Sequence, residues 1–296
     1  MQYLIDASVY VFRAYYSMPE DMVDDAGNPI NALYGFCRFL GDFMEQVTPE
    51  YIAVAFDESL SKSFRTEIYP DYKANRDPAP PELKRQFGQC RRFVRALGLM
   101  EIASPRYEAD DLIGTLVEHG RRQGRPSTIV SRDKDLTQLL LKEDVFWDFA
   151  GKGKLGYEEI PGSFGVYPEQ IADFLALAGD AVDNIKGVPG VGKKTAEKLL
   201  QHFGTLDEIY GNLDRVHEVN VRGAKTLGTK LETHRDDAML ARRLTGIACD
   251  APIGDAETAM QPCAPKLGDI NALFDEAGIG TALRRQAERV SDIYRH

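Results

Sequence analysis

The sequence predicts an α/β fold, a mostly parallel sheet flanked by helices and followed by a helical part. Three observations lead there. Short apolar runs alternate with segments of helical spacing through the first half of the chain; the stretch 168–296 carries helical patterns and Gly-rich turns but no convincing strand; and acids recur where the apolar runs end. With 296 residues, 43% of them hydrophobic, the chain can bury a sizeable core as one large domain or two intimately packed ones.

In chain order, the first run is Tyr3-Leu4-Ile5, closed by Asp6. A helical pattern over 31–47 leads into Tyr51-Ile52-Ala53-Val54-Ala55-Phe56, closed by Asp57. The break Asp77-Pro78-Ala79-Pro80-Pro81 predicts a mobile region. Spacing then predicts a helix over 82–97, the run Leu99-Met100-Glu101-Ile102, and a helix over 109–123 that opens in Tyr107-Glu108-Ala109-Asp110-Asp111-Leu112. Thr128-Ile129-Val130 follows, with Ser131-Arg132-Asp133-Lys134-Asp135 behind it, then a helix over 135–142 and the run Asp144-Val145-Phe146-Trp147. In the helical part, Leu267, Ile270, Leu273 and Phe274 are spaced to pack a final helix on the core.

Composition narrows the function classes. No apolar run approaches the roughly 20 residues of a membrane span, and the start MQYLIDASVYVFRAYY has no basic n-region or cleavage site, so a cytoplasmic protein with no membrane partner is expected. Cys37, Cys90, Cys249 and Cys263 form no CxxC pair and are expected as buried thiols. The net charge of −10 argues against a nucleic-acid partner until its distribution is considered. From Lys62 to Arg95 nine basic residues face four acids, and Lys186 to His202 holds four lysines against Glu197, so both stretches are candidate phosphate binders.

The acids make the stronger pattern. The carboxyl ends of strands in an open α/β sheet form one rim where ligands bind, which brings Asp6, Asp57, Glu108, Asp110, Asp111, Asp133 and Asp135 to one place. Asp180 and Asp183, in Gly179-Asp180-Ala181-Val182-Asp183-Asn184, are placed to add two more. Any one of them is equally well read as a helix cap or turn residue. As a set, like charges at one rim call for cations, and oxygen ligands without His or Cys select magnesium, or manganese in its place. Two such ions roughly 4 Å apart suit in-line displacement at a phosphodiester.

The stretch Gly187-Val188-Pro189-Gly190-Val191-Gly192-Lys193-Lys194-Thr195-Ala196 nearly matches a nucleotide-binding P-loop, but Lys194 occupies the place of the metal-binding hydroxyl. It also follows a helix end rather than a strand. Helix, Gly-rich turn, helix is the layout of a helix-hairpin-helix, whose turn amides and second-helix N-terminus hold a backbone phosphate, with Lys193 and Lys194 reaching its neighbours.

Taken together, LIDAS with Arg13 seven residues after Asp6, AFD followed by SFR at Ser63 to Arg65, YKANR at Tyr72 to Arg76, YEADD, SRDKD, GDAVDN and GVPGVGKKTA resemble the 5′-nuclease family over nearly the whole chain. That family comprises the flap endonucleases and the N-terminal 5′ to 3′ exonuclease domain of bacterial DNA polymerase I, with its stand-alone relatives. The resemblance implies a PIN-like α/β core over 1–167 with a helical arch about 62–95. It further implies a helical DNA-binding subdomain over 168–260, containing a helix-three-turn-helix at 187–196, and a C-terminal helical segment 261–296. It assigns Asp6, Asp57, Glu108, Asp110 and Asp111 to a first metal group and Asp133, Asp135, Asp180 and Asp183 to a second. Arg65, Tyr72, Lys73 and Arg76 match the arch region at the phosphate near the cut, and Arg13 a basic residue near the active site. Gly187, Gly190, Gly192, Lys193, Lys194 and Thr195 match the duplex grip, where the resemblance also implies a potassium ion on the carbonyls of the 187–192 turn. A polymerase I chain would continue into further domains, whereas this sequence stops at His296: it is either a stand-alone nuclease or a truncated polymerase, and Met1 at the start favours the first.

The expected activity is magnesium-dependent 5′ to 3′ exonuclease and 5′-flap endonuclease cleavage by a monomer. Its partners would be DNA with free 5′ ends, flaps or branched junctions, and a DNA polymerase in trans. A catalytically weak module binding flaps or branches is the alternative. A PIN-type ribonuclease would lack the helical hairpin.

Overall fold

Each apolar run of the first half forms a strand: β1 Gln2–Asp6, β2 Ile52–Asp57, β3 Met100–Ser104, β4 Ser127–Val130 and β5 Val145–Asp148. The structure, a computed structural model, describes residues 1–58, 63–149, 151 and 153–295; Lys62, which opens the basic stretch, and His296 lie outside the described residues. The sheet runs β3-β2-β1-β4-β5 in parallel, and β6 Gly153–Gly156 closes one edge antiparallel to β5. Chain order reverses at β1, so the carboxyl ends of β1 and β4 border the switch point.

The helices are α1 Ala7–Ser17, α2 Asn31–Val47, α3 Phe64–Ile68, α4 Pro81–Ala96, α5 Ala109–Arg122, α6 Pro161–Phe164 and α7 Ile171–Ala178. They continue as α8 Lys193–Phe203, α9 Leu206–Gly211, α10 Ala224–Thr233, α11 Arg235–Thr245, α12 Ala256–Ala259, α13 Leu267–Glu276 and α14 Thr281–Ile293. Side chains of a strand alternate between its faces. Leu4, Ala53, Ala55 and Ile129 accordingly join a core shared with α5, α7, α8 and α11. Ile5, Val54, Phe56 and Val130 join another, under α1, α2, α4, α13 and α14. In the final segment, Phe274 of α13 stacks on Phe93 of α4 with ring centroids 5.7 Å apart.

Three departures are physical. The helix expected over 135–142 is a 3₁₀ turn, Lys134–Leu139, because the Asp133 carboxylate accepts from Asp135 N–H (2.9 Å) and the Thr137 hydroxyl donates to the Lys134 carbonyl (2.5 Å). Of the stretch 62–95, α4 is a core helix, burying Leu83, Cys90, Phe93 and Val94. Its arginines are neutralised where they stand. Arg85 pairs with Asp24, Arg91 with Glu58 and Glu101, Arg92 with Glu276, and Arg95 with Glu101, so the local positive excess is not a free basic face. Finally, Cys37 and Cys90 are buried, whereas Cys263 is exposed. Among the described residues no helix is long and apolar enough to cross a membrane.

Candidate active site

Strand ends and helix starts bring the acids together. Asp6 ends β1 and caps α1, with only 3% of its surface exposed, and accepts from the Ser131 hydroxyl at 2.7 Å. The same Ser131 oxygen accepts from Asp133 N–H at 2.9 Å, tying the loop after β4 to the end of β1. Asp57 ends β2; its Oδ1 accepts from Ala109 N–H (2.9 Å), and its own N–H donates to Ser8 Oγ (3.0 Å). At the start of α5 the Asp111 carboxylate accepts from Glu108 N–H at 3.0 Å, and Glu108 and Asp110 reach the cavity wall.

Their mutual repulsion is legible in their proton affinities. Burial, then Asp57 and Asp133, pushes the Asp6 carboxyl up to about 7. Burial and the charges of Asp133, Asp6 and Asp57 hold Asp110 well above the usual carboxylate range. Asp135 is pushed up to about 7 by burial and by Asp133, Asp180 and Asp183, and Asp180 is raised by burial and Asp183. Asp133 thus belongs to the fields of two sets, one on the sheet and one reaching the loop after α7.

A cavity of about 950 Å³ lies between them, lined by Glu108, Asp110, Asp133, Asp135, Asp180 and Asp183 on the acidic side and by Lys73, Arg76, Lys193 and Lys194 on the basic side. Lys73 Nζ donates to Glu108 Oε2 at 2.8 Å and lies 3.5 Å from Asp183; Arg76 pairs with Asp183, and Tyr72 donates to both acids at 3.1 and 3.2 Å. Among the described residues no three His, Cys, Asp or Glu side chains stand in a ready-made metal-binding group. The donor chemistry nevertheless fits a hard divalent ion. The acids are all carboxylates, they raise one another's proton affinity, and Glu108 Oε1 is buried with no hydrogen-bond partner.

Two of the expected site residues spend their polar atoms on bonds within the fold. Asp111 is fully buried and absent from the cavity wall: it takes a bidentate pair from Arg65 (2.6 and 2.8 Å) and accepts from the N–H groups of Glu108 and Ala248. Its lone pairs are spent on packing rather than free for a metal. Arg65, 3% exposed, lines the cavity wall and also donates to the carbonyls of Leu244 and Gly246, both at 2.8 Å, so its guanidinium pins α3 to α5 and to the end of α11. Arg13 lies apart from the acids' cavity, in a pocket of about 360 Å³ on α1 and α2 beside Arg38, Phe39 and Phe149.

The glycine turn is built by close approach. A Cβ on Gly187 would meet Gly179 N at 2.2 Å, and Val188 N–H donates to Leu177 O at 2.9 Å, so the turn lies directly on the end of α7. Gly190 has φ +82°, and Gly192 caps α8 without a side-chain bond, leaving the first amides of α8 free of side-chain partners. Lys193, Lys194 and Gly187 reach the cavity wall; Gly190, Gly192 and Thr195 shape the turn behind it. Sequence reasoning missed Ser131, Ser8, Asn75 and Asn184. All four sit in the quoted motifs, Ser8 in LIDAS, Ser131 in SRDKD, Asn75 in YKANR and Asn184 in GDAVDN, where their polar side chains beside the acids were the available signal.

Residues 1–160 match the 5′-3′ exonuclease N-terminal resolvase-like domain and residues 166–266 the 5′-3′ exonuclease C-terminal SAM fold. DNA polymerase I of Pseudomonas aeruginosa is 38% identical over 274 residues, which are 92% of this chain and 30% of that protein. DNA polymerase I of Bacillus caldotenax is 36% identical over 98% of this chain and 32% of its own length. The chain therefore spans about 30% of the length of these curated relatives. Among solved structures, T5 5′-exonuclease with bound zinc ions aligns over 99% of this chain and 98% of its own, with TM-score 0.65 and 18% identity. The Rad2 catalytic core in complex with a DNA substrate aligns over 98% and 90%, with TM-score 0.62 and 14% identity. These two likenesses carry the fold: a mostly parallel sheet with a SAM-like helical part. With its α/β half and its helical half both matched in order, the chain belongs to the 5′-3′ exonuclease family.

Proposed function

We propose that this chain hydrolyses DNA phosphodiesters from free 5′ ends, exonucleolytically and at 5′ flaps near the single-strand to duplex junction, with divalent metal ions. The observation that carries the reading is one cavity with carboxylates from both halves on one side and Lys73, Arg76, Lys193 and Lys194 on the other. Asp6, Asp57, Glu108 and Asp110 would hold one ion, and Asp133, Asp135, Asp180 and Asp183 another; bound there, magnesium or manganese supplies Lewis acidity and an activated water. Asp6 and Asp133 are held in mutual register by Ser131. Lys73 and Arg76 stand where charge on a phosphate could be met.

The free amides at the start of α8, with Lys193 and Lys194, would hold the duplex backbone. A potassium ion on the 187–192 turn, a polymerase acting beside this chain, and a division into 1–167, 168–260 and 261–296 belong to the same reading. The test is cleavage of a 5′-labelled flap duplex with magnesium, with calcium or chelator, and with the 5′ end blocked. Magnesium-dependent products near the junction, suppressed by the block, are expected. Tight binding without cleavage in magnesium would overturn the catalytic reading and leave a flap-binding module.

A further inference from the structure

The segment Asp71–Arg76 and the loop Asp180–Ile185 come from opposite halves of the chain, and they hold each other through three backbone-directed bonds. Asn184 Nδ2 donates to the Asp71 carbonyl at 2.7 Å, Asn75 Nδ2 donates to the Ala181 carbonyl at 3.0 Å, and Lys73 N–H donates to the Asp183 carbonyl at 3.0 Å. The arrangement is reciprocal: each asparagine reaches out of its own turn into the backbone of the other. Both turns also close on themselves, Ala74 N–H to Asp71 O and Arg76 N–H to Lys73 O on one side, Asp180 and Ile185 pairing on the other.

Strain marks the same place. Lys73 has φ +54° and Asn184 φ +57°, two of the three non-glycine residues with positive φ among those described. Asparagine tolerates that conformation; lysine keeps it only where its surroundings impose it. At Lys73 the imposing contacts are its N–H on Asp183 O and its ammonium on Glu108. Beside the two asparagine bonds sit the side chains that matter: Lys73 on Glu108, and Arg76 and Tyr72 on Asp183. The loop Asp180–Ile185 runs straight into the Gly187–Gly192 turn and α8.

We propose that Asn75 and Asn184 form a clasp that positions Lys73 and Arg76 against the acids for the cleavage step, and that they do so without contributing to DNA affinity. This inference rests on the nuclease reading above. They are positioning residues: their amides reach backbone carbonyls, and the groups they place are Lys73 and Arg76.

The test uses the full chain and three variants: Asn184→Gly, which keeps the left-handed backbone and removes only the amide; Asn75→Ala; and the double variant. Single-turnover cleavage of a flap duplex should fall about tenfold or more in each single variant, since displacement of about 1 Å at a reacting group costs on that order or more. Flap affinity measured in calcium should change less than about twofold. The double variant should fall about as far as the worse single one, because either loss opens the clasp. In the metal-free protein, hydrogen exchange at the Lys73 amide should accelerate in both single variants, a readout independent of activity. Cleavage unchanged in the variants, or a rate loss matched by an equal loss of affinity, would overturn the proposal. If the unmodified chain does not cut at all, the nuclease reading falls by itself, and the Lys73 exchange rate then decides the clasp: acceleration keeps it, no change removes it.

Discussion

Arg65 and Asp111 show what a buried pair commits a protein to. Both are almost without exposure, their contact is bidentate, and the remaining donors and acceptors go to backbone groups of Leu244, Gly246, Glu108 and Ala248. Removing one partner strands a buried charge, at a cost of about 3–5 kcal/mol. Arg65→Ala is therefore expected to shift the urea midpoint strongly; a phosphate contact would instead weaken flap affinity at unchanged stability, and equilibrium unfolding beside a binding titration separates the two. A second expectation concerns Asp6 and Asp135, whose carboxyls sit at about 7 in the fold against 3.8 ordinarily. The folded, metal-free chain holds protons there that the unfolded chain has released, so the stability they contribute is full below about 3.8 and is lost as pH rises through about 7. In chelator, thermal midpoints should fall between pH 5 and pH 7.5, all else equal, and divalent ion should recover the loss at the higher pH; a loss that the ion leaves untouched would place its cause outside the acid cluster.

At the scale of elements, the strands were legible because each is a short apolar run ended by an acid or a turn, and Asp6 and Asp57 could be placed at strand ends for the same reason. What escaped has physical causes. Helix α1, with Val9, Tyr10, Val11 and Phe12 in succession, carries the composition of a strand, and as a helix it packs on α2, β2 and α4. The edge strand Gly153–Gly156 has two glycines in four residues and borrows its conformation from β5. The type of residue at the site was readable, but pairing was not: nothing in SFR or YEADD says that Arg65 takes Asp111 and leaves Glu108 to Lys73. The glycine turn shows spacing and geometry agreeing. Because a Cβ on Gly187 would meet backbone of Gly179, Ala178 and Leu177 within 2.5 Å, no rotamer can relieve it, and α7 or the turn must shift. Gly187→Ala should cost roughly 1–3 kcal/mol and weaken duplex binding together, read by unfolding and by fluorescence anisotropy. Normal stability with normal binding would show that the turn is not built on this contact.

For the molecule as a whole, the net charge of −10 and the proposed binding of a polyanion are reconciled by where the positive charge not paired with acids in the manner of α4 lies. The arginines of α4 are matched by Asp24, Glu58, Glu101 and Glu276 on the body of the protein, so they offer a phosphate little. Lys193 and Lys194 stand at the start of α8, beside amides that no side chain caps. Each lysine that meets a phosphate releases counterions and adds about 0.9 to the slope of log affinity against log salt. Replacing both Lys193 and Lys194 with alanine should therefore lower that slope by up to about two and weaken flap binding about equally for all sequences. Replacing Arg92 and Arg95 should leave the slope nearly unchanged and act through stability instead, because their acids lose a partner. The reverse pattern, a slope set by α4 and indifferent to Lys193 and Lys194, would move the DNA to the opposite side of the sheet and separate the acidic cavity from the duplex it is proposed to serve.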